Sequence, residues 1–286
     1  MHLSKTIYIV AGLPRSGSTL LCNILAQNQD FYVTPTSGII DVLNYVRTSW
    51  QENLPFKAME TSQREAMQRA VMRGALEGYF SHAPQTICFD KSRYWPELLE
   101  MLAEILGGRQ HVRVLMPMRD MRDVLASFEL RWRETNTLSQ VRFEMSDPLH
   151  FQTALQRMTY LLENGQPVGR AYNAICDAMT RGWAANCHFF EYDDLTARPE
   201  QTMRRIYAFL GQPYFPHQFE AVEQLHDEDD LAAYGFKGLH SIRRQVRPQP
   251  PSWPQVFDGA VTTSKLWQDL ERVSHFWRKY GVKKPV

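Results

Sequence analysis

The sequence predicts an α/β fold in which a central parallel sheet of about five strands is flanked by helices. Three observations predict it. The chain opens on an apolar run, a tight turn rich in Gly, Pro and Ser, and then an apolar helical pattern, all within residues 7–21. Further short apolar runs follow, each separated from the next by a helical pattern, the alternation that builds parallel sheets covered on both faces. Hydrophobic residues make up 44% of the 286 residues, enough for a core on each side of such a sheet.

The elements are justified in chain order. Strands are expected at 6–11, 31–34, 86–90, 112–116 and 187–192, where apolar residues cluster between turn residues. The first helix, 18–28, starts directly after the turn, and a second begins near Ser37 and runs towards Trp50. A third, 62–81, starts at Ser62 with Glu65 three residues on, the spacing of a capping box. Helices at 96–106, 121–133 and 171–182 follow, and 199–210 opens on Pro199 and closes at Gly211 and Pro213. Residues 245–256 hold four prolines, which predicts an extended segment over the surface before a last helix at 264–280. No repeat and no long linker interrupts the chain, so residues 1–286 are expected to form a single domain.

Charge and cysteines exclude several classes. Lys plus Arg is 32 and Asp plus Glu is 31, a net charge of +1, so global charge favours neither nucleic acid nor an acidic partner. Cys22, Cys88, Cys176 and Cys187 form no CxxC pair or zinc-like cluster, which fits reduced, mostly buried thiols. There is no leader pattern and no apolar run of membrane-spanning length, so a soluble, cytoplasmic protein is expected.

The chemistry starts at Gly12-Leu13-Pro14-Arg15-Ser16-Gly17-Ser18-Thr19, which has the spacing of a phosphate-binding P-loop. This makes the expected fold a three-layer, P-loop NTPase-like one. Backbone N–H groups of such a turn and the positive helix end aim at one anion. Ser18 stands where the P-loop lysine belongs, and a positive charge appears three residues earlier at Arg15. The loop is therefore equipped for a phosphate but poorly for the γ-phosphate of an ordinary NTPase. A second signal follows about a hundred residues on, where Arg119 ends a strand and Ser127 lies eight residues later in a helix, two turns along. An Arg and a Ser converging there can clamp a second phosphate.

Together these segments resemble the sulfotransferases that use 3′-phosphoadenosine 5′-phosphosulfate (PAPS), closer to the bacterial and tyrosine-sulfating-like branches. The resemblance implies that Pro14, Arg15, Ser16, Gly17, Ser18 and Thr19 bind the 5′-phosphosulfate and that Arg119 and Ser127 hold the 3′-phosphate. Phe189-Phe190-Glu191-Tyr192-Asp193-Asp194-Leu195, followed by Arg198-Pro199, looks like the family's strand end in which a Tyr lies near the adenine; here that is Tyr192. Phe89-Asp90-Lys91-Ser92 is similar to a segment whose Lys contacts the sulfonate, which implies that role for Lys91. Residues 235–244 match the family's glycine-containing cofactor lid less closely, and Lys237 and Gly238 take its cofactor contacts by resemblance. The implied activity is sulfonate transfer from PAPS to a hydroxyl or amine of a small-molecule, glycan or peptide acceptor. PAP is the product, no metal is needed, neither nucleic acid nor membrane is a partner, and a homodimer is left open.

Attack by a hydroxyl wants a base, and the Glu that the family carries after the first helix is absent from Thr34-Pro35-Thr36-Ser37-Gly38-Ile39-Ile40-Asp41. Asp41, His82 and His240 are the candidates, with Arg15 and Lys91 as stabilisers of charge. Each base candidate also has a plainer reading: Asp41 supports its helix start, His82 ends a helix, and His240 is a satisfied loop residue. Arg122 with Asp120 and Asp123 reads as a charge network, and Asp227-Glu228-Asp229-Asp230 as a solvated helix end or lid. Two other functions compete: a nucleotide or small-molecule kinase on the same core, and a non-catalytic nucleotide-binding relative.

Overall fold

In the computed structural model, which describes residues 3–136, 152–235 and 237–274, the first strand decides the layering. This strand, β1 (Thr6–Val10), sends Ile7 and Ile9 into one apolar cluster and Tyr8 and Val10 into another. Side chains of a strand alternate between faces, and here both faces are buried. The chain continues through α1 (Ser18–Leu25), β2 (Phe31–Thr36), α2 (Ile39–Glu52), α3 (Leu54–Lys57), α4 (Thr61–Tyr79) and β3 (Ile87–Lys91). It then runs through α5 (Leu99–Leu106), β4 (Val114–Met118), α6 (Met121–Asn136), α7 (Ala154–Leu161), α8 (Pro167–Thr180) and β5 (Cys187–Glu191). It ends in α9 (Tyr192–Ala197), α10 (Pro199–Leu210), α11 (Asp230–Tyr234), α12 (Trp253–Val256), α13 (Gly259–Thr262) and α14 (Lys265–Val273).

The five strands form one parallel sheet in the order β2-β3-β1-β4-β5. The expected α/β architecture, with a five-stranded parallel sheet between helical layers, is therefore the one observed. Helices α1 and α10 cover one face through Leu21, Ile24, Leu25, Met203, Ile206 and Leu210. Helices α2, α4, α5, α6 and α8 supply the core on the other. The chain builds β2 and β3 on one side of β1, then crosses to β4 and β5 on the other. That crossing makes the carboxyl end of β1 a topological switch point.

Several boundaries differ from expectation, each for a local reason. Strand β2 runs on to Thr36, because its register with β3 breaks after Val33 and resumes at Thr36 opposite Lys91. Ser62 does not cap α4: the Glu60 carboxylate accepts the Gln63 N–H at 3.0 Å and also binds the Ser62 hydroxyl, so the helix starts one residue earlier. Helix α7 was not expected. Its Arg157 enters the interior to meet Glu129 of α6 at 2.6 Å, with Arg133 on the same carboxylate at 2.8 Å. The Pro-rich segment is tied to α6 by Asp123, which accepts from Ser252 N–H and hydroxyl at 2.7 and 2.9 Å, and α12 lies within it. The far end of the expected last helix, beyond 274, lies outside the described residues.

A buried imidazole, His217, and a half-buried one, His188, give the fold a pH dependence. Burial pushes His217, and burial with Arg205 pushes His188, down from 6.5 to about 4. Between those values the unfolded chain binds more protons than the folded one, so stability rises with pH there. The thermal midpoint is expected to fall as pH drops from 6.5 towards about 4, and His217→Gln should flatten that slope in a calorimetric pH series.

Candidate active site

Because the strands are parallel, their carboxyl ends meet at one edge, and the register sets what stands there. Lys91 pairs with both Val10 and Thr36, while Met118 pairs with Glu191. Thr36, Lys91, Arg119 and Tyr192 thus follow one another across the edge, with the turn after β1 in the middle.

That turn has a forced shape. Gly12 has φ 99°, and a Cβ there would strike the Pro117 carbonyl of β4. Gly17 has φ 91°, and a Cβ there would lie 2.5 Å from the Tyr192 ring. Only glycine serves at either place. Arg15 is held left-handed at φ 59°, a conformation that costs a non-glycine residue about 1 kcal/mol or more. Ser16 closes the turn by donating its hydroxyl to the Leu13 carbonyl at 2.5 Å. Gly17 is also the N-cap of α1 and offers no side chain, so the first N–H groups of the helix lack a side-chain cap.

Arginines converge on this turn. Arg15 Nε donates to Ser127 Oγ at 2.9 Å, and its Nη1 donates to the Leu239 carbonyl. Arg119 Nη1 donates to the Arg15 carbonyl at 3.3 Å, and its guanidinium sits 4.8 Å from the Tyr192 ring centre. Arg119 Nε is buried and has no hydrogen-bond partner among the described residues. Burial, with Arg131 and Arg119 nearby, pushes Arg15 down to about 10. Crowded cations whose donors are not all used are what an anion would relieve. Arg122, in contrast, pairs with Asp120 at 2.7 Å and stacks on Trp253, a charge network as expected.

Lys91 reaches the turn from β3. It is 6% exposed, its Nζ donates to Thr19 Oγ1 at 3.3 Å, and it pairs with Glu228 at 3.6 Å. The neighbouring Asp90 is fixed by the Trp95 indole at 2.6 Å, and burial pushes its carboxyl up to about 6. Lys91 brings to the turn a charge that the P-loop lysine position, Ser18, lacks.

Residues 228–235 and 237–240 lie over this edge. Lys237 N–H donates to Thr135 Oγ1 at 3.4 Å, and Gly238 at φ 68° lies beside Arg131 and Ser241. Lys237 is exposed. Glu228 accepts from the Thr36 N–H at 3.2 Å, and the Thr36 hydroxyl lies between the same carboxylate oxygen at 3.3 Å and His240 Nε2 at 3.1 Å. Asp230 is buried and binds His240 at both its backbone N–H and Nδ1. The acidic run is therefore not a solvated end: Asp227 and Asp229 are exposed, but Glu228 and Asp230 turn inward onto Lys91 and His240. Side-chain oxygen and nitrogen atoms of Glu228, Asp230 and His240 lie within 4.8 Å of one another, each engaged in these contacts. Burial raises the Glu228 carboxyl, yet Lys91 and His240 outweigh it and hold it below the usual range.

Two of the proposed base residues do not join this group. His82 precedes β3 and meets Tyr32, near the start of β2, at 2.9 Å, so it stands at the amino end of the sheet, opposite Lys91. Asp41 is exposed in the first turn of α2, where its charge suits the positive helix end and is felt by Arg170.

The family profile described as sulfotransferase matches residues 8–216, nearly the whole span from β1 to the end of α10. The chain belongs to the sulfotransferase family. This sulfotransferase-family chain is 25% identical over 238 residues to nodulation protein NoeE of Sinorhizobium fredii. The match covers 76% of the chain and 53% of NoeE, so the chain spans about half the length of that relative. A retinol dehydratase solved with androsterone and the inactive cofactor PAP superposes with a TM-score of 0.51 at 14% identity, covering 98% of this chain and 83% of the other. That likeness shows a shared fold. The sulfotransferase domain of the curacin biosynthetic pathway superposes with a TM-score of 0.49 at 15% identity, covering 100% of this chain and 94% of the other. No helix among the described residues is long and apolar enough to cross a membrane.

Proposed function

We propose that the chain transfers a sulfonate group from PAPS to a hydroxyl or amine of an acceptor. The observation that carries this reading is the double anion seat around residues 12–19: an uncapped helix start on one side, and on the other Arg119, with an unused buried Nε, and Ser127, both in contact with Arg15. The retinol dehydratase of the same fold was solved with PAP, which supports the same nucleotide here. An adenosine bearing phosphates at 3′ and 5′ needs two separated seats, and Arg15 touches both. Arg119 and Ser127 would hold the 3′-phosphate; residues 14–19 would hold the 5′-phosphate, with Tyr192 beneath the turn and towards the base. Lys237 and Gly238 would close over the nucleotide. When bound, PAPS supplies a sulfonate whose departure leaves negative charge on a bridging phosphate oxygen. Arg15, Lys91 and the turn N–H groups are placed to hold charge at that point. Ser18 replaces the lysine that an ordinary P-loop kinase uses. The four cysteines are free thiols, three of them buried, which supports a reducing, cytoplasmic setting.

Calorimetry with PAP tests this reading. Arg119→Ala is expected to weaken PAP at least tenfold, about 1.4 kcal/mol, because a phosphate loses a charged partner. Unchanged affinity would remove Arg119 from the site. Binding of Mg-ATP in preference to PAP would favour a kinase, and PAP binding without any sulfonate transfer from PAPS would favour a non-catalytic relative.

A further inference from the structure

The sulfonate-transfer reading leaves the proton acceptor open, and the residues gathered beside Lys91 supply one. A continuous polar chain leads from the turn to residue 240. Thr19 Oγ1 lies 3.3 Å from Lys91 Nζ, and Lys91 Nζ lies 3.6 Å from Glu228 Oε1. Glu228 Oε1 lies 3.3 Å from Thr36 Oγ1, and Thr36 Oγ1 lies 3.1 Å from His240 Nε2. Behind the imidazole, Nδ1 meets one oxygen of Asp230, while the other oxygen accepts the His240 backbone N–H at 2.8 Å. Asp230 is itself 5% exposed. A buried carboxylate that grips both the ring and the backbone of one residue fixes the ring's orientation. It also keeps the ring proton on Nδ1 and leaves a lone pair on Nε2.

We infer that His240, oriented by Asp230, is the general base that takes the acceptor's proton at Nε2, and that Glu228 positions Lys91. With the ring proton on Nδ1, the Thr36 hydroxyl gives its one proton to Nε2 at 3.1 Å rather than to Glu228 at 3.3 Å, and an acceptor hydroxyl that takes its place donates to Nε2 in the same way. Glu228 is poorly suited as the base, since Lys91 and the Thr36 N–H both hold its carboxylate. In the transfer, a bond forms from the acceptor oxygen or nitrogen to sulfur as the bond from sulfur to the bridging oxygen breaks. The electron pair leaves on the bisphosphate, and the acceptor proton moves to Nε2 and then to solvent. Among the described residues, four titratable groups face the ring: Asp230, Glu228, Lys91 and the Tyr234 ring at 5.4 Å. Burial and Lys91 favour the neutral ring against the two carboxylates, and the net direction is downward from 6.5. At pH 7 the ring is thus ready to accept a proton.

The test has two parts. Long-range proton–nitrogen NMR on protein labelled with nitrogen-15 histidine, with PAP bound, is expected to find His240 as the Nδ1–H tautomer. A proton on Nε2 at pH 8 would overturn the assignment. In parallel, PAP release from PAPS is followed with water and with simple alcohols as acceptors. His240→Ala is expected to slow it about a hundredfold and to remove its acidic limb, while PAP affinity and the thermal midpoint stay within narrow bounds. An unchanged rate would overturn the assignment. Should that variant fail to fold, the tautomer of the wild-type ring still decides. A wild-type protein that binds no PAP would overturn the sulfonate-transfer reading itself, an outcome distinct from PAP binding with a protonated Nε2.

Discussion

Lys91→Ala is expected to lower turnover about a hundredfold, roughly 3 kcal/mol, the cost typical of removing one preorganised donor from developing charge. The structure gives the reason. Lys91 is almost fully buried at the end of β3 and touches Thr19, the last residue of the phosphate turn. It stands where a charge on the transferring group would face it, away from the Arg119 and Ser127 pair. PAP lacks the sulfonate, so its affinity for the variant should change little. Comparing PAP titrations with initial rates therefore separates the two roles. An affinity loss as large as the rate loss would move Lys91 from the sulfonate to a phosphate, and an unchanged rate would remove it from the chemistry. The fold should survive, because Glu228, its ionic partner, keeps the Thr36 N–H.

Arg15→Ala is expected to be costlier, with turnover reduced 10²–10³-fold and PAP weakened tenfold or more. Arg15 carries a contact to each seat: its Nε to Ser127, its carbonyl to Arg119 and its backbone in the turn itself. A partial offset is built in. Alanine removes a cation that burial and two neighbouring arginines already disfavour. Arg15→Lys should recover part of the rate and less of the affinity, since an ammonium cannot reach Ser127 and a phosphate in the same fork geometry. Rates and calorimetry on the two variants check both statements.

The parts of this site that were legible in the sequence are those whose residues lie close together along the chain. Residues 12–19 declare a strand, a turn and a helix in one stretch. Arg119 and Ser127 declare a strand end and a helix face in another, and the structure brings both to the turn. What the sequence hid depends on contacts over long separations. Glu228 and Asp230 read as a solvated helix end, and His240 as one of three candidate bases with nothing to favour it, because Thr36 and Lys91, which make them a cluster, lie more than a hundred positions earlier. His82 looked well placed because it precedes the strand carrying Lys91. A parallel sheet separates the start of that strand from its end by its full length, about 15 Å, and His82 sits at the start. The start of α4 was misplaced by one residue for a similar reason: Glu60 caps as a carboxylate at a position where Ser, Thr, Asp or Asn is the usual signal.

Leu239 and His240 are adjacent, yet they serve opposite halves of the edge: one gives its carbonyl to Arg15, the other its imidazole to Thr36. A single peptide unit thus joins the nucleotide clamp to the proton-accepting ring. Losses at the two places cannot be summed. In a thermodynamic cycle on the transfer rate, the double variant at 15 and 240 should fall short of the product of its single penalties, because both residues serve one step, while PAP affinity should follow the change at 15 alone.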